Sequence, residues 1–178
     1  MVVGNKKAHI QGALFFVLWA WLVSAQAAPK AEILEHGYYK FTEASQRIAR
    51  PSTSSGYVTQ GKAELVESTQ RIPLEKGRLF GFRFRVGGLN KNVGVLPLEL
   101  VVVHPEMKKP DGTTTTGYSY FMDLKLTDGV VEDKAGYRIN EPYEMVAGDW
   151  QFEFRFMNKP LLKQTFTTYF QESSAKDK

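Results

Sequence analysis

The chain has 178 residues, of which 43% are hydrophobic, 13% aromatic and 24% charged. That length and composition are typical of one globular domain with a substantial core. The formal net charge is +4, but basic and acidic residues are interspersed along the chain. The basic stripe of a nucleic-acid-binding protein is absent, so no nucleic-acid partner is expected. The sequence has no cysteine, which excludes disulfides and a lipid anchor on cysteine.

The first 27 residues have the features of a cleaved signal peptide. Lys6 and Lys7 form a basic start, residues 13–23 (ALFFVLWAWLV) are apolar and uncharged, and Ala25 and Ala27 supply the small residues of a cleavage site. The apolar run is too short for a membrane anchor. We therefore expect export to the bacterial periplasm or beyond it. The mature chain would carry a net charge of about +2 and no transmembrane segment.

Two weak strands and a polar loop are predicted at the start of the mature chain. Apolar residues at alternate positions predict strands over residues 32–41 and 57–69. Between them, residues 42–56 end in the letters RPSTSSG and are predicted to be a long polar loop. Residues 43–49 are predicted to form one turn of helix within it.

The strongest strand patterns lie in the middle of the chain. Residues 78–86, 95–104 and 118–126 each place an apolar side chain at every second position. The apolar face of the first strand is formed by Phe80, Phe82, Phe84 and Val86. Arg83 and Arg85 occupy its opposite face, which predicts that they point outward.

The last hairpin is predicted from residues 148–170, after a short strand over residues 137–139. Its first strand carries an aromatic row at alternate positions: Trp150, Phe152, Phe154 and Phe156. Asn158 and Lys159 are expected to form the turn. The closing strand, residues 161–170, should return with Leu162 and Phe166 inward. Because burying one such aromatic side chain contributes roughly 1.5–3 kcal/mol, the row should form a large part of the core.

About seven to eight strands with one apolar face each predict an all-β fold, namely an antiparallel β-sandwich. The predicted domain covers residues 28–172, and residues 173–178 (SSAKDK) are predicted to be a disordered tail. The alternation of apolar and polar residues does not distinguish a sandwich from a partly open barrel, because it does not reveal the order of the strands in the sheets.

Several short motifs resemble a known family. EILEHGYY near the start, VVVHP before a Pro-Asp-Gly loop, and AGDWQFEFRF in the last hairpin are similar to a family of short exported proteobacterial domains of unknown function. The resemblance covers roughly residues 32–170. The resemblance implies an immunoglobulin-like β-sandwich and export, and it identifies no catalytic residue in this chain.

Residues suited to metal or nucleophilic chemistry are sparse. Only His36 and His104 remain after removal of the signal peptide, so no metal or cofactor is expected, and both are predicted to be structural, hydrogen-bonded histidines. Four acidic residues, which we call the acidic group, lie close together in the sequence: Asp123, Asp128, Glu132 and Asp133. These residues could form a weak calcium site or a glycosidase pair, although a solvated turn is the favoured interpretation.

These observations favour a non-enzymatic binding or accessory module whose partner is another envelope protein. The expected contact regions are residues 42–56, 108–116 and 161–170. Three arginines are predicted to point outward from aromatic-rich strands and form a candidate partner-binding surface: Arg83, Arg85 and Arg155. The favoured alternative is that these arginines pair with acidic residues on neighbouring strands. Two other functions stay open, a carrier of a small apolar ligand inside a β-barrel and a hydrolase that uses the acidic group.

Overall fold

The computed structural model describes residues 28–171. Within that range the chain forms eleven strands and one short 3-10 helix, Pro142–Glu144. The strands are β1 Lys30–Phe41, β2 Gln46–Ala49, β3 Tyr57–Gln60, β4 Ala63–Glu67, β5 Arg71–Pro73, β6 Leu79–Gly87, β7 Val95–Lys108, β8 Thr114–Lys125, β9 Val131–Arg138, β10 Gly148–Phe156 and β11 Lys159–Tyr169. The predicted signal peptide and tail lie outside the described residues.

The strands form two main sheets and one separate hairpin. One sheet has the order β4-β1-β6-β9, the other has the order β5-β11-β10-β7-β8, and β2 pairs only with β3. Every pairing is antiparallel except that of β11 with β5. The predicted all-β sandwich is therefore confirmed, with short additional strands between the long ones.

Aromatic side chains fill the space between the two sheets. Alternation along β6 and β10 turns one aromatic row of each strand toward the other sheet, as the sequence predicts. The ring centroids of Phe80 and Trp150 are 5.3 Å apart at an interplanar angle of 85°, and those of Phe84 and Phe154 are 4.5 Å apart. Edge-to-face packing such as that of Phe80 and Trp150 contributes about 0.5–1.5 kcal/mol per pair beyond burial. Phe156, at the end of the row, is only partly buried.

Three local predictions are wrong. Residues 43–49 form no helical turn, because Gln46–Ala49 pairs with Tyr57–Gln60 as a hairpin. The predicted strand over residues 57–69 is two strands, β3 and β4, interrupted after Gln60. The turn of the last hairpin is formed by Met157 and Asn158, whose φ values of 49° and 63° match the primed turns that suit strand twist.

The strand predicted over residues 137–139 begins earlier, at Val131. Charged residues hid its alternation, since Glu132 and Lys134 lie opposite Arg85 and Arg83 on the outer face of the sheet. β5 was not predicted, because three residues are too few to show a period.

Glycine permits close approach of the strands in the four-stranded sheet. Gly37 lies opposite Gly81, which lies opposite Gly136, so three glycines form a row across β1, β6 and β9. A Cβ atom on Gly81 would lie 2.2 Å from the carbonyl oxygen of Ala135. No side chain fits between these strands.

Candidate partner-binding surface

Two of the three predicted arginines lie in a charge ladder on the outer face of the four-stranded sheet. Arg85 Nη2 is 2.6 Å from Glu132 Oε1, and Arg85 Nη1 is 3.1 Å from Glu32 Oε1. The hydrogen bonds that Arg85 donates to Glu132, followed by the charge of that carboxylate, raise the pKa of Arg85. Arg83 Nη1 lies 4.0 Å from Glu35 Oε1. These contacts are the cross-strand pairs that stabilise sheet surfaces.

Arg155 lies elsewhere, on the outer face of the five-stranded sheet. Its Nε donates a hydrogen bond of 2.6 Å to Glu153 Oε1, which raises the pKa of Arg155, and the more distant charge of Glu99 adds to this effect. The structure therefore brings Arg83 and Arg85 together and places Arg155 on the opposite side of the sandwich. The three arginines do not form one surface.

A groove of about 460 Å³ lies beside Arg155. We call it the Phe121 groove, and it is lined by Pro97, Glu99, Phe121, Arg155, Phe156, Met157 and Asn158. Phe121 lies opposite Glu99, and Glu99 lies opposite Arg155, so the three side chains form one row across β8, β7 and β10. The groove is thus built on the regular register of the sheet.

Both walls of the Phe121 groove expose large apolar side chains. Phe121 is 72% exposed and Met157 is 80% exposed. Phe121 is not among the site residues predicted from the sequence, although its position in the strand carries a signal. The predicted inward residues of this strand are the even-numbered ones from Tyr118 to Leu126, so Phe121 has outward parity.

Two carboxylates flank Phe121 on the outer face. Glu99 is its cross-strand neighbour, and Asp123 follows it on the same face, opposite Pro97. Among residues 28–171, neither carboxylate takes part in an ion pair. Since Arg155 is already bound to Glu153, the groove and its rim offer negative charge to a partner.

A buried serine and histidine meet at the opposite end of β7. Ser54 Oγ lies 2.7 Å from His104 Nε2, and His104 Nδ1 donates to the Pro105 carbonyl oxygen at 2.7 Å. This is the geometry of a nucleophile and its base, but Ser54 and His104 are each only 3% exposed. Burial lowers the pKa of His104, with the Pro105 hydrogen bond acting in the other direction. The prediction of a structural, hydrogen-bonded His104 is confirmed.

His36 is partly buried, and its ring centroid lies 6.5 Å from that of Phe166. Its ring therefore packs against the closing strand of the other sheet. Among residues 28–171, both side-chain hydrogen bonds of histidine belong to His104, so the prediction of a hydrogen-bonded His36 is wrong.

A second buried polar group lies at the 3-10 helix. Glu144 is fully buried and accepts hydrogen bonds from Tyr137 Oη at 2.9 Å, from the backbone N–H of Glu141 at 3.0 Å, and from that of Asn140. Burial, followed by the charge of Glu144, raises the pKa of Tyr137. A buried carboxylate with three donors is satisfied within the fold, so it acts as a structural element.

The acidic group considered for calcium or glycoside chemistry is dispersed. Asp123 faces outward from the five-stranded sheet, whereas Glu132 faces outward from the four-stranded sheet and binds Arg85. In the part of the chain that the structure describes, no three His, Cys, Asp or Glu side chains are grouped so as to hold a metal ion. Over the same residues, no helix has the length and apolar character needed to cross a bilayer.

The packed antiparallel sheets define the class of this protein as an immunoglobulin-like β-sandwich. The chain belongs to the family described as a domain of unknown function (DUF3859), whose model matches residues 27–168. The family predicted from the sequence motifs is therefore confirmed.

The chain is also similar to solved structures. A crystal structure of an immunoglobulin-like protein from Pseudomonas aeruginosa is 23% identical, with a TM-score of 0.57, and the match covers 82% of this chain and 99% of that one. Alkylpurine DNA glycosylase from Pseudomonas fluorescens, bound to DNA containing an abasic site analog, is 10% identical with a TM-score of 0.35, covering 56% of this chain and 27% of that one. The second likeness is too weak to indicate a nucleic-acid partner. Comparison with curated proteins gives no match.

Proposed function

We propose that this protein is an exported, non-enzymatic binding module of the bacterial envelope that contacts another envelope protein through the Phe121 groove. The observation that carries the proposal is the exposure of Phe121 and Met157 on facing walls of one groove. Export is proposed from the signal-peptide pattern of residues 1–27.

Phe121 is the most exposed aromatic side chain in residues 28–171, ahead of Phe170 at 59% and Tyr57 at 45%. The aromatic side chains of the core are at most 6% exposed. Exposed apolar patches with a polar rim are typical of interaction sites. Aromatic residues and arginine also supply most of the energetically dominant contacts in protein interfaces. Phe121 and Arg155, on opposite walls of the groove, meet that description.

The other regions expected to contact a partner fit less well. β11 lies between β10 and β5, so its outer edge is already paired over Thr167–Tyr169. The β2–β3 hairpin buries Thr53 and Ser54 at its tip. Arg83 and Arg85 lie on the outer face of the other sheet, away from the Phe121 groove. Of the three predicted arginines, Arg155 alone lines the groove and stays in the proposed surface.

The two alternative functions have weaker support. Aromatic rings occupy the space between two separate sheets, which disfavours a carrier with a ligand in its interior. A hydrolase would need its acidic residues on one surface, and Asp123 and Glu132 lie on opposite faces.

Site-specific photo-crosslinking in cells tests the proposal. A photoreactive amino acid would replace Phe121 in the tagged full-length chain, and Val66, which is 48% exposed on the other sheet, would be the matched control position. We expect one reproducible envelope protein to be linked at position 121 and not at position 66. Equal labelling at both positions, or none at position 121, would contradict the proposal. Fractionation of the same cells tests whether the chain is exported.

A further inference from the structure

We propose that the partner binds as an extended strand that adds to the free edge of β8, with a basic side chain beside Asp123 and a large apolar side chain beside Phe121. This inference rests on the proposed function, because it specifies how a partner would occupy the same surface. Strand addition supplies affinity through backbone hydrogen bonds and specificity through alternate side chains.

β8 differs from the other sheet edges in its length and composition. It has 12 residues and ends the five-stranded sheet. Residues 113–122 (TTTTGYSYFM) contain no charged residue and no proline. Edge strands of this kind are open to pairing with another chain unless they are protected.

The three other end strands carry such protection. β5 has only three residues and ends in Pro73, and the five residues of β4 include Glu64 and Glu67. β9 carries four charged residues in eight, and the loop after β3 contacts it, since Lys134 Nζ donates to the Gly61 carbonyl oxygen at 2.6 Å.

The parts of β1 and β11 that these short neighbours leave unpaired carry charged residues, among them Glu32, Glu35 and Lys163. Among residues 28–171, β8 therefore offers the longest uncharged run at an open edge, residues 114–122.

The two faces of β8 define the side chains that an added strand should carry. On the inner face, Tyr120 and Met122 are only partly buried, so apolar partner side chains would complete their burial. On the outer face, the partner residue opposite Phe121 would extend one wall of the groove. The β2–β3 loop contacts this strand at Thr115, through Ser54, so the added strand should be short and lie opposite residues 117–123. Within that range Arg50 stacks on the ring of Tyr120, and an apolar partner side chain would pack beside it.

Charge selects the partner further. Asp123 lies two positions from Phe121 on the outer face of β8, and Glu99 lies on β7, on the side of Phe121 away from the free edge. Neither carboxylate forms an ion pair among the described residues. Lys125, two positions further along β8, forms none with Asp123 either. A basic residue two positions from the apolar residue of the partner would reach Asp123, because side chains on one face of a strand recur every second residue.

A short peptide tests this pattern directly. The probe is Ser-Lys-Val-Phe-Val-Lys-Ser with blocked ends, which has the same side-chain order in both directions and so allows parallel or antiparallel addition. The matched control replaces both lysines with glutamate. We expect the purified protein to bind the lysine peptide at least about fivefold more tightly at low salt, because the exchange replaces one attractive contact with Asp123 by a repulsive one. The difference should shrink as salt is added.

Backbone methylation distinguishes strand addition from simple occupation of the groove. Only every second N–H of an added strand points toward β8. One version of the probe is N-methylated at its odd positions and another at its even positions. The two versions should differ in affinity for the protein, since one should lose binding while the other retains it. Equal binding by both versions would overturn strand addition.

A charge exchange identifies the residue that recognises the basic side chain of the partner. Asp123→Lys should reverse the preference, so that the glutamate peptide binds better than the lysine peptide. Glu99→Lys is the matched control, because Glu99 lies on β7, away from the free edge, and should change the preference less. Circular dichroism would confirm that both variants fold. An unchanged preference in Asp123→Lys would overturn the assignment of this carboxylate.

The remaining outcomes separate this inference from the proposed function. Crosslinking at position 121 in cells, without selective peptide binding, would leave a binding module that does not use strand addition. Absence of crosslinking would remove the proposed function itself. A concentration-dependent dimer in sedimentation, lost in the Phe121→Lys variant, would show that the edge pairs with a second copy and would overturn the inference.

Discussion

Ser54 and His104 lie 50 residues apart in the chain, yet Ser54 Oγ is 2.7 Å from His104 Nε2 in the buried interior. Because His104 Nδ1 donates to the Pro105 carbonyl oxygen, Nε2 is the acceptor and the Ser54 hydroxyl is the donor. The contact fixes the tip of the β2–β3 hairpin, which pairs with neither main sheet, to strand β7.

Removal of the Ser54 hydroxyl should destabilise the fold. Ser54→Ala leaves Nε2 of a buried histidine without its donor, and we expect a loss of about 1–3 kcal/mol in the free energy of unfolding. Ser52→Ala, in the exposed part of the same loop, is the matched control and should change stability by less than about 0.5 kcal/mol. Urea unfolding measures both. Equal effects would mean that the buried pair does not stabilise the hairpin.

Stability should fall in weak acid because of His104. Burial lowers the pKa of His104 below its value in the unfolded chain, so the unfolded state takes up the proton first. The contribution of neutral His104 is complete above about pH 6.5 and is lost progressively as the pH falls through the lowered pKa. Unfolding free energies at pH 7.5 and pH 5 should differ less in His104→Gln than in the unaltered protein.

Ser52→Ala is the control for that experiment, because Ser52 is exposed and its hydroxyl does not ionise in this pH range. It should retain the pH dependence of the unaltered protein. If the His104→Gln and Ser52→Ala variants respond to pH in the same way, His104 is not the group responsible.

Phe80 should be among the most sensitive core positions. It is fully buried, and its ring contacts those of Trp150, Phe152 and Phe166 at centroid distances of 5.3, 6.1 and 5.5 Å. Phe80→Ala should cost about 3–5 kcal/mol through lost burial and a cavity. Phe121→Ala removes the same atoms from an exposed position and should cost less than about 0.5 kcal/mol. Thermal unfolding of the two variants gives the comparison, and a costly Phe121→Ala would show that this side chain is structural.

The glycine row predicts a backbone-specific effect. Gly81→Ala places a methyl group against the carbonyl oxygen of Ala135, and relief of that clash requires the two strands to separate. We expect a loss of about 1–3 kcal/mol in unfolding free energy. Gly94→Ala is the matched control, since no atom lies within 4 Å of its added methyl group. A neutral Gly81→Ala would mean that the sheet adjusts easily at this row.

The prediction of the fold from sequence was accurate where a long strand buries one face. The alternating rows along β6, β7 and β10 predicted both the strands and their inward side chains, because burial on one side of a strand repeats with a period of two. The same signal failed for β2 and β5, which are too short to show a period. It failed for the first half of β9 because charged residues there pair across the sheet.

The candidate site could be predicted only in part from the sequence. The outward directions of Arg83, Arg85 and Arg155 followed from alternation, but alternation did not show that Arg155 belongs to the opposite sheet. Strand order decides which outward residues become neighbours, and strand order depends on contacts between distant segments. The exposed Phe121 had the parity of an outward residue, yet its significance depends on Glu99 and Met157, which only the sheet brings beside it.

The sequence by itself determined the class of fold, the composition of the core and the membership of a family, because those depend on local periodicity and short motifs. Tertiary structure decided which edge of which sheet is left unpaired and which buried polar atoms meet. The reason is physical: the backbone hydrogen bonds of a strand and the partner of a buried histidine are supplied by residues tens of positions away, and no local pattern encodes that choice.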